Sequence, residues 1–280
     1  MLMEETKNAL SPGYDRDMAH LKGLSRVDVP IRAILKGYSN IEPDKVLAHV
    51  KDVRDRAFAV LQCPYPCVAK FMFLEPAIST LPCFDAIVER VKEGQKLLDM
   101  GCAFGQELRQ LVYHGAPSEN LYGVDLRLDF INLGFDLFRD RSSLKSQFFA
   151  SNLLDSNSDA VVELTGKIDI IFASLFFHIF SWNQQITIAK HALQMLTPKP
   201  RSMIVGRNAA YVNRKTPPLP EEYTTKSFHH DLASWKLLWD VVQKETGMIF
   251  RMETWEQPDQ DFMDHPELGA YMMYFTVTLE

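Results

Sequence analysis

The chain has 280 residues, 46% of them hydrophobic and 24% charged, with a formal net charge of −6 at pH 7. That length suits one large domain or a catalytic domain of roughly 200 residues with an appended segment, and the composition is apolar enough to bury a full core. An acidic balance with no long basic run leaves no electrostatic footprint for RNA or DNA, which excludes nucleic acid as a partner.

The start, Met1 to Lys7, is acidic and lacks an apolar stretch of the kind a secretory signal needs. The most apolar run, Ile168 to Trp182, contains Asp169 and His178 and is too short to span a membrane. A cytoplasmic protein with no membrane partner is the expectation. Four cysteines in a chain of this length do not form a disulfide framework. Cys63 and Cys67 enclose Pro64-Tyr65-Pro66, no His pair follows at zinc-finger spacing, and no metal is assigned.

Residues 1 to 92 read mainly as helices, the clearest from Pro43 to Leu61. Pro43 suits a first turn, and Val46, Val50, Val53, Ala57 and Val60 share one face. This N-terminal segment is expected to act as a lid or as a homodimer element beside a cofactor-binding domain at 93–280. From Gln95 onward strand and helix patterns alternate, the signature of an α/β, Rossmann-like, mostly parallel sheet with helices on both faces. Strand one is expected at 95–100, then a helix from Gln106 to His114 stopped by Gly115 and Pro117. Strand two follows at 120–125. A helix over Leu128 to Arg139 carries apolar Leu128, Ile131, Leu133, Phe135 and Phe138. Strand three is placed at 147–150 and a short helix at Asp159 to Leu164.

Strand four covers 168–173, and the spacing of Ile186, Ala189, Ala192, Leu193 and Leu196 makes Trp182 to Leu196 helical, closed by Pro198 and Pro200. Strand five is read at 203–205, followed by a long polar loop over 208–230 of the kind that carries function. The chain then runs through a helix at Leu232 to Glu245 capped by Gly247 and strands near 248–255 and 271–279. With no helical pattern between them, those two strands can pair antiparallel at the sheet edge.

The chemistry concentrates at the first strand-to-helix junction. A parallel strand that turns at once into a helix leaves backbone N–H groups unpaired at the helix start, and Gly101 and Gly105 permit a ligand to approach that backbone. A dinucleotide site places a pyrophosphate there, which Asp99 just before the first glycine would repel. The carboxylate suits the amino group and sulfonium of S-adenosylmethionine (SAM), and the spacing departs from G-x-G-x-x-G because Ala103 stands where the second glycine would be. Asp99, Gly101, Cys102, Ala103 and Gly105 are the loop candidates. Asp125 with its neighbour Leu126 ends strand two about 20 residues on, where a ribose-binding acid is expected; a helix-capping aspartate is the other reading. Asn152 and Leu153 after strand three suit an adenine, or else close a turn.

In an open parallel sheet, ligands bind beyond the C-terminal strand ends where strand order reverses, here between strands one and four. Strand four delivers Ser174 to the cofactor edge and Phe176 to wall the sulfonium and the acceptor. His178 is the candidate base or acceptor-positioning group, a core histidine being the alternative. Arg207, Asn208 and Tyr211 beyond strand five are read as holding an anionic or carbonyl-bearing acceptor, or as solvated loop residues.

The series Asp99-x-Gly101-x-x-x-Gly105, Asp125 and Asn152-Leu153 resembles the class I SAM-dependent methyltransferases over roughly residues 90 to 280. The resemblance implies a seven-stranded sheet with an antiparallel last strand and SAM as cofactor. Ala103 departs from the middle glycine that family often has. A second resemblance takes in Ile31 to Ser39, Arg54 to Phe58, Tyr65-Pro66-Cys67, Phe73-Leu74-Glu75, Asp99 to Arg109 and Leu133 to Asp140. These stretches look like small fungal natural-product methyltransferases, including those of meroterpenoid pathways. That likeness implies a small-molecule acceptor, a meroterpenoid or related natural product, and suggests methyl ester formation on its carboxylate. O-methylation of a phenol or enol, N-methylation, and a SAM-binding protein that transfers no methyl group stay open as alternatives.

Overall fold

A computed structural model describes residues 29–61, 68, 71–211, 227–257 and 270–280. The reading of Met1 to Lys7, the pair Cys63 and Cys67, and residues 212–226 of the expected long loop lie outside the described residues. The elements are α1 (Val29–Gly37), α2 (Val46–Leu61), α3 (Phe84–Lys92), β1 (Leu97–Met100), α4 (Gln106–Tyr113), β2 (Leu121–Asp125), α5 (Leu128–Phe138) and β3 (Gln147–Ala150). They continue through α6 (Asp159–Leu164), β4 (Ile170–Ser174), α7 (Trp182–Met195), β5 (Met203–Tyr211), α8 (Leu232–Thr246), β6 (Phe250–Gln257) and β7 (Ala270–Leu279).

The strands form one seven-stranded sheet in the order β3-β2-β1-β4-β5-β7-β6. The pairs β2/β3, β1/β4 and β4/β5 are parallel, whereas β7 runs antiparallel to both β5 and β6. The strand order reverses at β1 and β4, as the sequence pattern implies. Among the described residues, no helix is long and apolar enough to cross a membrane.

Three local expectations change. Strand five does not end at residue 205 but continues to Tyr211, because β7 pairs with it from Met203↔Thr278 to Tyr211↔Ala270. Arg207, Asn208 and Tyr211 therefore stand in a strand and not in a loop. Pro43 is not in a first helical turn: residues 43–45 form a turn, closed by Lys45 N–H to the Glu42 carbonyl at 2.9 Å, and the helix begins at Val46. Leu128 opens α5 with 56% of its surface exposed and takes no part in the buried face.

The chain divides into two compact units, Met1–Gly94 with Cys102–Ala150 and Gln95–Gly101 with Ser151–Glu280. In the first, Ile31, Ile34 and Leu35 of α1 and Val46, Val50, Val53 and Ala57 of α2 share a core with Phe104 and with Phe130, Leu133, Leu137 and Phe138 of α5. The helical period of these residues is what buries them together. Polar bonds lock the same unit. The Glu107 carboxylate accepts the N–H groups of Ala77 and Ile78, both at 2.9 Å. Arg109, fully buried, holds Asp140 by two parallel bonds of 2.9 and 3.0 Å, and Tyr38 Oη donates to the same carboxylate at 2.8 Å. The rings of Phe135, Phe138 and Phe148 surround the guanidinium at 5.0–5.2 Å.

In the second unit β4 is the apolar axis, with Ile170, Ile171, Phe172 and Ala173 fully buried. Gly206 of β5 lies so close to it that an added Cβ would stand 1.8 Å from the Ala173 carbonyl oxygen. Gln185 of α7 donates to the carbonyls of Phe180 and Phe228 at 3.0 and 2.7 Å, and its amide oxygen bonds His230 at 3.0 Å. Gly247 closes α8 at φ 69°, as read from the sequence.

Candidate functional site

The segment from Asp99 to Gly105 leaves β1 and enters α4 through three left-handed residues at alternate positions: Gly101 (φ 76°), Ala103 (φ 47°) and Gly105 (φ 67°). The N–H groups of this turn are largely used within the protein: Cys102 N–H bonds the Val124 carbonyl at 3.0 Å. Gly105 N–H bonds the Cys102 carbonyl at 2.6 Å, and Arg109 Nη1 donates to the carbonyls of Phe104 and Gly105 at 3.1 and 3.3 Å, so the turn is held from inside. Ala103 adopts a conformation that costs an L residue roughly 1–2 kcal/mol.

Asp125, at the end of β2, takes up that strained residue: its Oδ2 accepts the Ala103 N–H at 2.9 Å and its Oδ1 the Arg127 N–H at 2.8 Å. Burial raises its pKa above the usual carboxylate value, opposed by those two bonds and by the Arg127 charge. The neighbouring Cys102 is buried and Leu126 is 61% exposed. Asp125 thus caps the loop backbone as well as standing where a ribose-binding acid is expected.

In the second unit, Asp99 is buried in β1 opposite Phe172 of β4. A Cβ on Gly101 would lie 2.5 Å from the Phe176 ring, so glycine is required for that ring to close on the backbone. Asn152 uses its side-chain oxygen to accept Leu154 N–H at 3.0 Å, the local turn-closing bond, and the Leu153 carbonyl accepts from His191 Nδ1 at 2.8 Å. The last residue of β4, Ser174, registers with Arg207 of β5, whose Nε donates to Ser174 Oγ at 3.1 Å. Leu175 then turns through φ 51°, its N–H bonding the Arg207 carbonyl at 2.8 Å, and places Phe176 and the short helical turn Phe177–Ile179 past the strand end.

There the rings of Phe176 and Phe180 meet at 5.1 Å and those of Phe177 and Trp235 at 5.3 Å. The His178 ring lies 5.3 Å from His229, which lies 5.0 Å from Tyr211. Part of the His178 ring reaches solvent, but its Nδ1 is sealed, and burial of the nitrogen pushes its pKa down to about 3. The charge of His229 adds to that shift and the Asn208 amide opposes it. The structure brings Ser174, Arg207, Asn208, Tyr211 and His178 to one end of β4 and β5. His229 and His230 escaped the sequence reading; their only signal was a histidine pair just ahead of the capped helix α8.

The family model of the meroterpenoid methyltransferase N-terminal domain matches residues 20–74. The chain is 46% identical over 281 residues to methyltransferase adrK of Penicillium rubens, covering 99% of this chain and 98% of that protein. It is 49% identical over 256 residues to asnovolin E/chermesin D methyltransferase nvfJ of Aspergillus novofumigatus, covering 91% and 90%. The methyltransferase domain of bacterial CtHen1 shares the fold, with a TM-score of 0.50 at 15% identity over 74% of this chain and 100% of that one. With near-complete coverage at such identity, the chain belongs to the fungal meroterpenoid methyltransferases.

Proposed function

We propose that this methyltransferase moves the methyl group of SAM onto the carboxylate of a meroterpenoid intermediate, forming a methyl ester. What supports the cofactor at this loop is a turn of three left-handed residues, Gly101, Ala103 and Gly105, between β1 and α4, with the Asp125 carboxylate bonded to its backbone. When bound, SAM supplies an electrophilic methyl on a sulfonium. Asp99 would balance its positive charge, Asp125 would meet the ribose, and Asn152 with Leu153 would border the adenine.

On the acceptor side, Phe176 would form a wall, and Arg207 and Tyr211 would draw an anionic head group to the end of β5. Transfer from the SAM sulfonium to an already ionised carboxylate would ask none of these residues to take a proton. The chain's contribution is alignment and exclusion of water, which can supply several kcal/mol of barrier reduction, about 7–11 in the best-aligned cases.

The observation that carries the choice of acceptor is the state of His178. A histidine pushed down to about 3 is too weak a base to take the proton of a phenol, whose affinity for it is higher by several powers of ten. A carboxylate is already ionised at neutral pH and needs no base. His178 then serves as a neutral hydrogen-bonding group beside the acceptor.

The test uses methyl-labelled SAM with the purified protein and an extract of the source strain lacking the gene. A labelled product that gains one methyl and releases it as methanol in mild alkali is the expected result. An alkali-stable methyl ether or methylamine would overturn the carboxylate assignment.

A further inference from the structure

We propose that Arg109 is a positioning residue for the cofactor loop: it holds the backbone of Phe104 and Gly105 in the shape that binds SAM, and Tyr38 beside α1 sets its place through Asp140. The inference rests on the loop being the SAM site and adds what holds that loop from the protein side.

Arg109 divides its donors between two partners. Nε and Nη2 hold the Asp140 carboxylate, while Nη1 reaches the carbonyl oxygens of Phe104 and Gly105, the residues that close the turn. A trans peptide points its carbonyl and its N–H in opposite directions, so gripping these two carbonyls directs the Gly105 and Gln106 N–H groups away from the guanidinium. The glycine follows from the same contact. A Cβ on Gly105 would stand 2.2 Å from Arg109 Nη1 and 3.1 Å from the Phe148 ring, so glycine at 105 admits an arginine from inside the protein.

Arg109 is in turn placed by its surroundings. The rings of Phe135, Phe138 and Phe148 enclose the guanidinium, which leaves its direction to Asp140. Arg139 ends α5 at φ 52°, and Asp140 is buried between two exposed arginines, Arg139 and Arg141. Tyr38 completes the contacts of that carboxylate: its N–H continues α1 by bonding the Ile34 carbonyl at 2.8 Å, and its Oη donates to Asp140 Oδ2. Packing follows the same route. The Phe104 ring is fully buried, 4.8 Å from Phe73 and 5.4 Å from Phe130, in the core that holds Ile31, Ile34 and Leu35 of α1. One loop residue is thus tied to the N-terminal helices twice, by its ring directly and by its carbonyl through Arg109, Asp140 and Tyr38. Stability alone does not ask for this. A buried ion pair is often no more stabilising than well-packed apolar side chains of its volume, whereas a planar fork of donors fixes directions that such side chains leave open.

The experiment compares wild type with Tyr38→Phe and Arg109→Lys, each kept well below its own melting temperature. Its readouts are SAM affinity by calorimetry, KM for the acceptor purified from the extract, and amide hydrogen exchange with and without SAM. Tyr38→Phe removes one hydroxyl outside the loop, and is expected to weaken SAM binding about fivefold while the acceptor KM stays within about twofold. Arg109→Lys keeps the charge but cannot serve both partners, and is expected to lose about tenfold or more. Coupling is reciprocal, so SAM should slow exchange across residues 29–37 in the wild type and do so less in Tyr38→Phe. Variants that melt lower yet bind SAM within about twofold of wild type, with α1 exchange unmoved by SAM, would make Arg109 a stabilising residue only and overturn the proposal. Tyr38→Phe decides this even where Arg109→Lys fails to fold. SAM that binds wild type yet leaves exchange over residues 99–109 unchanged would instead remove the loop as its site, and this proposal with it.

Discussion

The carboxylate of Asp125 reaches the backbone of Ala103, twenty-two residues earlier, and accepts its N–H at 2.9 Å. One side chain therefore shapes the loop, and under the proposed function it would also meet the ribose. Asp125→Ala is expected to weaken SAM binding by roughly 1–3 kcal/mol, the scale of lost hydrogen bonds to a charged group. Calorimetry without acceptor measures it, and unchanged affinity would remove the cofactor role of Asp125.

Ala103 pays for a left-handed conformation that glycine adopts freely. Ala103→Gly relieves that strain but adds freedom to the unfolded chain, and the two effects are each about 1 kcal/mol. The urea midpoint is expected to stay level or rise, with SAM affinity no weaker. A clear fall in the midpoint would show that the methyl group of Ala103 packs against something the fold needs; Tyr38 and Phe58 border the same core.

Arg109 and Asp140 form a two-bond ion pair sealed from water, with Tyr38 as a third member. Removing one partner strands the other charge, so Asp140→Asn or Arg109→Met should each cost about 3–5 kcal/mol of stability. Tyr38→Phe should cost about 1 kcal/mol or more, since burial and the Asp140 charge hold its hydroxyl firmly protonated. Urea unfolding of the singles and the Arg109→Met/Asp140→Asn double gives the coupling, and additive losses would disprove the pair's shared role.

His178 and His230 are both pushed from 6.5 to about 3, first by burial and then by the charge of His229. A folded value below the unfolded one means the unfolded chain binds the proton first. The stability these rings contribute is full above about pH 6.5 and is lost as pH falls toward 3. Melting temperature should therefore drop steadily from pH 7 to pH 4, and His178→Gln with His230→Gln should flatten the slope even while lowering the plateau. In the same proteins kcat should show no inflection from His178 at or above about pH 5. An inflection near neutrality that disappears in His178→Gln would restore a base role and favour a hydroxyl acceptor.

What could be read from the sequence was what local chemistry dictates. The loop from Asp99 to Gly105, the acid at Asp125 and the Gly247 cap each need only neighbouring residues to declare themselves. Strand five could not be bounded that way, because the pairing that extends it to Tyr211 comes from residues 270–279. Pro43 looked like a helix start because its φ suits one, yet the chain uses it in a turn ahead of Val46. Asn208 could be singled out from the sequence only as a polar residue after strand five; its burial opposite Met273 and its bond to His178 follow from the pairing of β5 with β7.

The place of β7 has a consequence for how the chain is made. It lies between β5 and β6 although both precede it in the chain, so during synthesis β5 has an open hydrogen-bonding edge until residues 270–279 leave the ribosome. That edge includes Asn208, which registers with Met273 of β7. A chain truncated before Ala270 should therefore hold a chaperone longer than the full chain does, which co-purification of chaperone with the two released chains measures.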